Sequence, residues 1–173
     1  MKKEINVWEY AGHIMENIGQ GALLTTSADG EVDTMTIGWG AVGVVWGRPV
    51  CQVLVRESRH TKSLLEKNGE FTVNFTMGGD VKSILAVCGT KSGRDIDKIK
   101  ELGLTLEEGK TVSVPAIREL PLTLECKVIY KQDQNPAAID PVCHDRYYAK
   151  GTKNEGDYHT VYYGEITAAY IVE

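Results

Sequence analysis

The sequence predicts a mainly β fold, an antiparallel barrel, closed or split, with short helices inserted between its strands. Two observations carry this. Six or seven runs alternate large apolar and polar residues with the period of two that places one face of a strand on a core. Between the first two of these runs stands Ser27-Ala28-Asp29-Gly30, and Asp-Gly between strand-like runs is a strong hairpin signal.

In chain order, Val7, Tyr10, Ala11, Ile14, Met15 and Ile18 recur at helical spacing, so residues 6–18 are expected to form a helix capped by Asn6 and stopped by Gly19-Gln20-Gly21. Strands follow over 22–26 and 31–37. The second mixes large residues (Met35, Ile37, Trp39) with small ones (Thr34, Thr36, Gly38), which predicts a core face and a face open to something flat. Gly38-Trp39-Gly40-Ala41-Val42-Gly43 matches the GxGxxG dinucleotide pattern, but no helix opens on it. The glycines are read as bends in a curved sheet.

Residues 50–56 form the next strand, then Ser58-Arg59-His60 turns into a helix over 62–67 with Thr61 as N-cap and Asn68-Gly69 as stop. A strand begins at Glu70, with Phe71, Val73 and Phe75 inward and Asn74 outward. Asp80 is expected to cap a helix carrying Val81, Ile84, Leu85 and Cys88. A second helix spans 95–102, with Ser92 and Asp95 at capping-box spacing. Residues 103–118 read as loop with a short extended piece, and 120–131 as a strand. Residues 131–158 read as a long polar loop with a brief strand at 146–149, and 159–172 as the closing strand.

The chemistry concentrates at 56–61. Two guanidiniums, two hydroxyls and the free amides of a helix N-terminus fall within about two turns of chain, a combination that binds phosphate. The plain alternative is a solvated surface with a cap. At 173 residues and net charge −5, the chain suits one domain over 1–173 and lacks the basic field of a nucleic-acid binder. No apolar run approaches the roughly 20 residues of a membrane span, and the N-terminus does not read as a signal peptide. Cys51, Cys88, Cys126 and Cys143 are too dispersed for a metal site or a disulfide framework, and fit free thiols in a reducing, cytoplasmic setting. No triad or metal cluster stands out.

The segments TMTIGWG (34–40), VLVRESRHTKSLLEKNGEFTVN (53–74), CGTKSGRDIDKIKELGL (88–104), VPAIRELPLTLECKV (114–128) and DYHTVYYGEIT (157–167) together resemble the flavin reductase-like proteins of the FMN-binding split-barrel superfamily, a group that includes flavoredoxin. The resemblance implies a Greek-key-like split barrel and a homodimer with FMN near the subunit interface. By position, Thr34, Met35, Thr36 and Ile37 would border the flavin ring. Val55, Arg56, Ser58, Arg59 and Thr61 would hold the phosphate. Asn74 would sit beside the cofactor, Ser92, Gly93 and Lys98 near the phosphate end, and His159 against the ring. His60 and Trp39 are left unassigned.

NADH or NADPH would stack transiently on the exposed flavin face, with Arg146, Tyr147 and Tyr148 as candidate contacts; an alternative has these aromatics anchoring their own loop. Three functions remain open: an FMN-dependent reductase, an electron carrier between protein partners, and a flavin-free binding module.

Overall fold

The structure, a computed structural model, describes residues 1–173. Its elements are β1 (Lys2–Glu4), a 3-10 turn (Val7–Tyr10), α1 (Ala11–Gln20), β2 (Ala22–Ala28), β3 (Glu31–Ile37), β4 (Gly40–Val45), β5 (Arg48–Arg56), α2 (His60–Asn68), β6 (Glu70–Phe75), α3 (Lys82–Thr90), α4 (Lys98–Leu102), β7 (Leu106–Glu107), β8 (Ala116–Ile117), β9 (Leu122–Asp133), a 3-10 turn (Pro136–Ala138), α5 (Pro141–Tyr147) and β10 (His159–Val172).

One antiparallel sheet runs β3-β2-β6-β9-β10-β5-β4, and β1 joins the far end of β10. The two end strands, β3 and β4, are consecutive in the chain yet unpaired with each other. Gly38 and Trp39 join them, and the Trp39 carbonyl accepts from Leu54 N at 3.4 Å. The sheet therefore curls round until its ends approach without zipping, which is the split barrel that the resemblance implied.

Turn chemistry explains both tight hairpins. Asp29 and Gly30 have φ of 54° and 81°, and Trp46 and Gly47 have 52° and 71°, so each pair adopts the left-handed turn that matches strand twist. Inside the barrel, Leu24, Val53, Phe71, Phe75, Leu122 and Tyr162 pack in one cluster, closed at one end by Ile14 and Ile18 of α1. Gly164 makes that packing possible: a Cβ there would stand 2.4 Å from the Phe71 ring and 2.7 Å from Cys126 Cβ. A second cluster, Leu23, Cys88, Leu104, Ile117 and Leu120, covers the outer face of β2 and β6 beneath α3 and the 104–120 segment. Cys51, Cys88 and Cys126 are buried free thiols, as expected, and Cys143 is exposed.

Several expectations need correction. The small face of β3 is only partly open: α3 lies on it, with Thr36 Oγ1 donating to Leu85 O at 2.6 Å and Gly89 over Thr36, while Thr36 and Gly38 still border a hollow. Ser92 and Asp95 form no capping box. Ser92 Oγ accepts from Arg94 N, and α4 starts later, capped by Asp97. In place of the brief strand expected at 146–149, α5 ends at Tyr147 and a turn follows; the helix starts with Asp140 as N-cap and Pro141 in the first turn. The long loop thus holds a helix that this Asp-Pro pair announces. β1, absent from the sequence reading, forms because Lys2–Glu4 complete the edge of β10 at Tyr170–Val172.

Candidate functional site

Two adjoining hollows open where β3, β5, β10 and the start of α2 converge. One, of about 150 Å3, is walled by Met35, Thr36, Ile37, Trp39, Arg56 and His159. The other, of about 160 Å3, is lined by Ser58, Thr61, Thr90, Lys91, Ser92 and Lys98. Met35 and Arg59 belong to both, so the hollows form one bent cleft. A larger depression of about 410 Å3 lies beyond Gly93, but it is lined by Glu31, Asp33 and Asp97, and its one cation, Lys98, is already paired.

The second hollow is built by the end of β5 and the entry to α2. Arg59 is the N-cap residue in extended conformation, and no side chain caps the helix, so its first-turn amides keep no side-chain acceptor. Thr61 does not cap. It is buried, and its hydroxyl donates to Asp33 Oδ2 at 2.6 Å. Asp33 also holds Lys98 in an ion pair at 2.9 Å, with both side chains nearly fully buried. This pair ties β3, α2 and α4 together behind the cleft. Gly93 has to be glycine here, because a Cβ would meet Asp33 Oδ1 at 2.6 Å and His60 Cδ2 at 2.7 Å.

The guanidiniums line the cleft without carboxylate partners. Arg56 Nη1 donates to the Asp157 carbonyl at 2.6 Å, and Arg59 Nη1 donates to the Gly89 carbonyl at 2.9 Å. The Asp157 carboxylate is taken instead by Ser58, through its N–H at 3.0 Å and its hydroxyl at 2.7 Å. Burial, and then the neighbouring Arg56 charge, push the Arg59 pKa below its ordinary value, with Asp157 and Asp33 only partly offsetting them. The cleft therefore carries positive charge that the chain does not neutralise. His60, whose Nε2 meets Glu31 at 2.6 Å, leaves Nδ1 buried with no partner in the same hollow. Spare donors and an unmet polar atom fit an anionic ligand.

The first hollow is aromatic. Trp39 stands 4.8 Å from the His159 ring and 4.9 Å, edge-on, from Tyr147 of α5. Arg56 lies over the faces of Trp39 and Tyr148, at 5.7 and 5.3 Å. His159 Nδ1 is 2.7 Å from the Tyr148 hydroxyl. Burial first, and then Arg56, depress the His159 pKa to about 4, so the imidazole is neutral at pH 7.

Eleven of the fourteen expected site residues line this cleft: Met35, Thr36, Ile37, Arg56, Ser58, Arg59, Thr61, Ser92, Gly93, Lys98 and His159. Three do not. Val55 points into the barrel core. Thr34 is buried against β2, accepting from Thr25 at 2.9 Å and donating to Leu24 O at 3.2 Å. Asn74 does point out of the barrel, but into the second cluster, where Nδ2 reaches Ile117 O, Leu120 O and Thr123 Oγ1 at 3.3, 3.0 and 2.9 Å. It is fully buried, because the 104–120 segment covers that face.

Asp157 and Gln134 shape the site beside Tyr148 and were not expected there. Asp157 meets Arg56 and Ser58 across about 100 residues, a contact that no local pattern announces, whereas Gln134 meets Tyr148 and His159 across 14 and 25 residues.

Comparison with known proteins agrees with this architecture. Flavoredoxin from Methanosarcina acetivorans superposes with a TM-score of 0.65 at 29% identity, covering 88% of this chain and 68% of that one. Flavoredoxin of Desulfovibrio vulgaris (Miyazaki F) gives 0.66 at 22% identity, covering 88% and 69%, and shares the fold. An uncharacterised protein of Archaeoglobus fulgidus is 36% identical over 97 residues, 56% of this chain and 54% of its own length, so the match spans about half of that relative. The Flavin reductase like domain matches over residues 15–173. With split barrel, cleft and sequence pattern in agreement over nearly its whole length, this chain belongs to the flavin reductase like domain family.

Proposed function

We propose that the cleft binds FMN and that the protein is an FMN-dependent oxidoreductase reduced by NADH or NADPH. The observation that carries this reading is the continuity of the two hollows: one lined by Arg59, Ser58, Ser92 and the entry to α2 adjoins an aromatic one that Arg56 edges, so cationic and flat surfaces follow one another as charge and ring do along FMN. Arg56, Arg59 and the Thr90–Gly93 turn would hold the phosphate. Met35, Trp39 and His159 would meet the ring. Bound flavin supplies the hydride and electron chemistry. The chain's own residues bind it, orient it and limit the access of water. Tyr147, edge-on to Trp39 and under the Arg146 guanidinium at 5.2 Å, would meet a stacked nicotinamide.

The test is selective loss. Arg56→Ala with Arg59→Ala is expected to weaken FMN binding by about 100-fold or more, from two charge-assisted contacts of roughly 1.5–3 kcal/mol each, and to leave riboflavin nearly unaffected. Fluorescence titration with both ligands measures this, and equal losses would remove the arginines from the phosphate.

A second reading, an electron carrier serving a redox protein partner, is favoured by the 29% identity to a flavoredoxin. Steady-state NAD(P)H oxidation with free FMN separates the two: brisk turnover marks the reductase, and a reducible bound flavin without turnover marks the carrier. A homodimer belongs to either reading. The edge strand β4 leaves Val44 63% exposed and the turn after it leaves Trp46 68% exposed, and Trp46 continues an edge-to-face ladder through Tyr130 to Tyr163. A second copy against this edge would bury it, and sedimentation equilibrium reads the state directly. No helix is long and apolar enough to cross a membrane.

A further inference from the structure

Behind the aromatic hollow, His159 is held by a chain of hydrogen bonds whose polarity can be followed from one end. The His159 backbone N–H donates to Gln134 Oε1 at 3.0 Å. A backbone N–H only donates, so the Gln134 atom that it meets is the oxygen, and the carboxamide cannot be turned over. The Tyr148 hydroxyl stands 3.0 Å from the same oxygen. A carbonyl oxygen only accepts, so the single phenolic proton lies on that bond. Burial raises the pKa of the phenol and keeps the proton in place.

The Tyr148 oxygen is also 2.7 Å from His159 Nδ1. With its proton committed to Gln134, it can only accept there, so Nδ1 carries a hydrogen. A neutral imidazole with hydrogen on Nδ1 has a bare Nε2. Nε2 makes no hydrogen bond within the chain, and His159 lines the cleft beside Trp39 and Arg56.

We infer that Gln134 and Tyr148 are positioning residues that lock His159 in its Nδ1–H tautomer, so that Nε2 meets the ligand as an acceptor for an N–H or O–H. The ligand half of this inference rests on the flavin reading above. Elsewhere the cleft offers mainly donors, the two guanidiniums and the first-turn amides of α2. An acceptor at the ring end therefore divides recognition, anion at one end and N–H or O–H at the other. Isoalloxazine carries a ring N–H, and the ribityl chain carries hydroxyls.

The experiment is long-range 1H–15N correlation on imidazole-labelled protein at pH 7, with FMN titrations alongside. The wild-type protein is expected to show His159 Nε2 in the unprotonated, pyridine-like range. Gln134→Leu removes the acceptor that holds the phenolic proton, so the proton turns to Nδ1 and the hydrogen of the ring moves to Nε2. That variant is expected to bind FMN about tenfold more weakly, because a donor replaces an acceptor. If Gln134→Leu does not fold, Tyr148→Phe leaves Nδ1–H without its acceptor and is read in the same way.

A protonated Nε2 in the wild-type protein would overturn the tautomer. A switched Gln134→Leu protein with wild-type FMN affinity would overturn the ligand contact. A bare Nε2 in a protein that binds no FMN would remove the flavin reading and its contact, and leave the tautomer standing.

Discussion

At the scale of single residues, the anion end of the cleft was legible because its chemistry is local, whereas Met35, Thr36, Ile37, Ser92, Gly93, Lys98 and His159 were reached only through the family resemblance. Arg56, Ser58, Arg59 and Thr61 lie within six positions, and their types alone point to an anion. Where a residue's partner is distant, legibility failed. Thr61 reads as a cap from its neighbours, yet its hydroxyl belongs to Asp33, 28 residues earlier. His159 shows what distance adds. In the folded protein its pKa is depressed from 6.5 to about 4, chiefly by burial and then by Arg56. Between those values the unfolded chain binds more protons than the folded one, so stability rises with pH across that window and is lost as pH falls through it. Arg59 adds to the depression, and Asp157 works against it. We expect the wild-type protein to lose on the order of 2 kcal/mol more than His159→Asn between pH 7 and 4.5, as measured by urea midpoints at both pH values.

At the scale of elements, strand alternation gave the right side for Asn74 and the wrong environment. Period two places it opposite Phe71, Val73 and Phe75, and it does lie there. What covers that side is the 104–120 segment, which has little regular structure and no periodicity to announce it. Asn74 holds the segment down through two of its carbonyls. Asn74→Ala is therefore expected to cost about 2–4 kcal/mol by leaving those acceptors buried and unpaired, while FMN affinity stays within about twofold. Chemical denaturation alongside flavin titration separates this role from a place beside the cofactor, which would reverse the two effects. The α5 helix marks the opposite failure: Asp140-Pro141 is a good start signal, but the polar composition around it masked it.

For the whole molecule, the barrel was legible as a class and not as a closure. Strand count and the Asp-Gly hairpin indicate an antiparallel sheet, but nothing local says that β3 and β4 become the two lips of one split. Packing inside the closed sheet depends on Gly164, where the Phe71 ring takes the space a side chain would fill. Gly164→Ala is expected to destabilise the protein by about 1–3 kcal/mol through overpacking, with a matching fall in melting temperature and little change at the cleft. Calorimetry of the variant measures it.

The placement of β10 has a consequence for how this molecule comes into being. It pairs with β9 along one edge and with β5 and then β1 along the other, so it joins segments as far apart as residues 2–4 and 170–172. Until that strand arrives, the β3-β2-β6-β9 strands and the β4–β5 hairpin stand apart with raw edges, and the entropy of drawing distant segments together must be spent before their contacts repay it. Such a topology assembles slowly, and its half-made forms, with β5 and β9 each lacking a neighbour, are the states most prone to stick to one another.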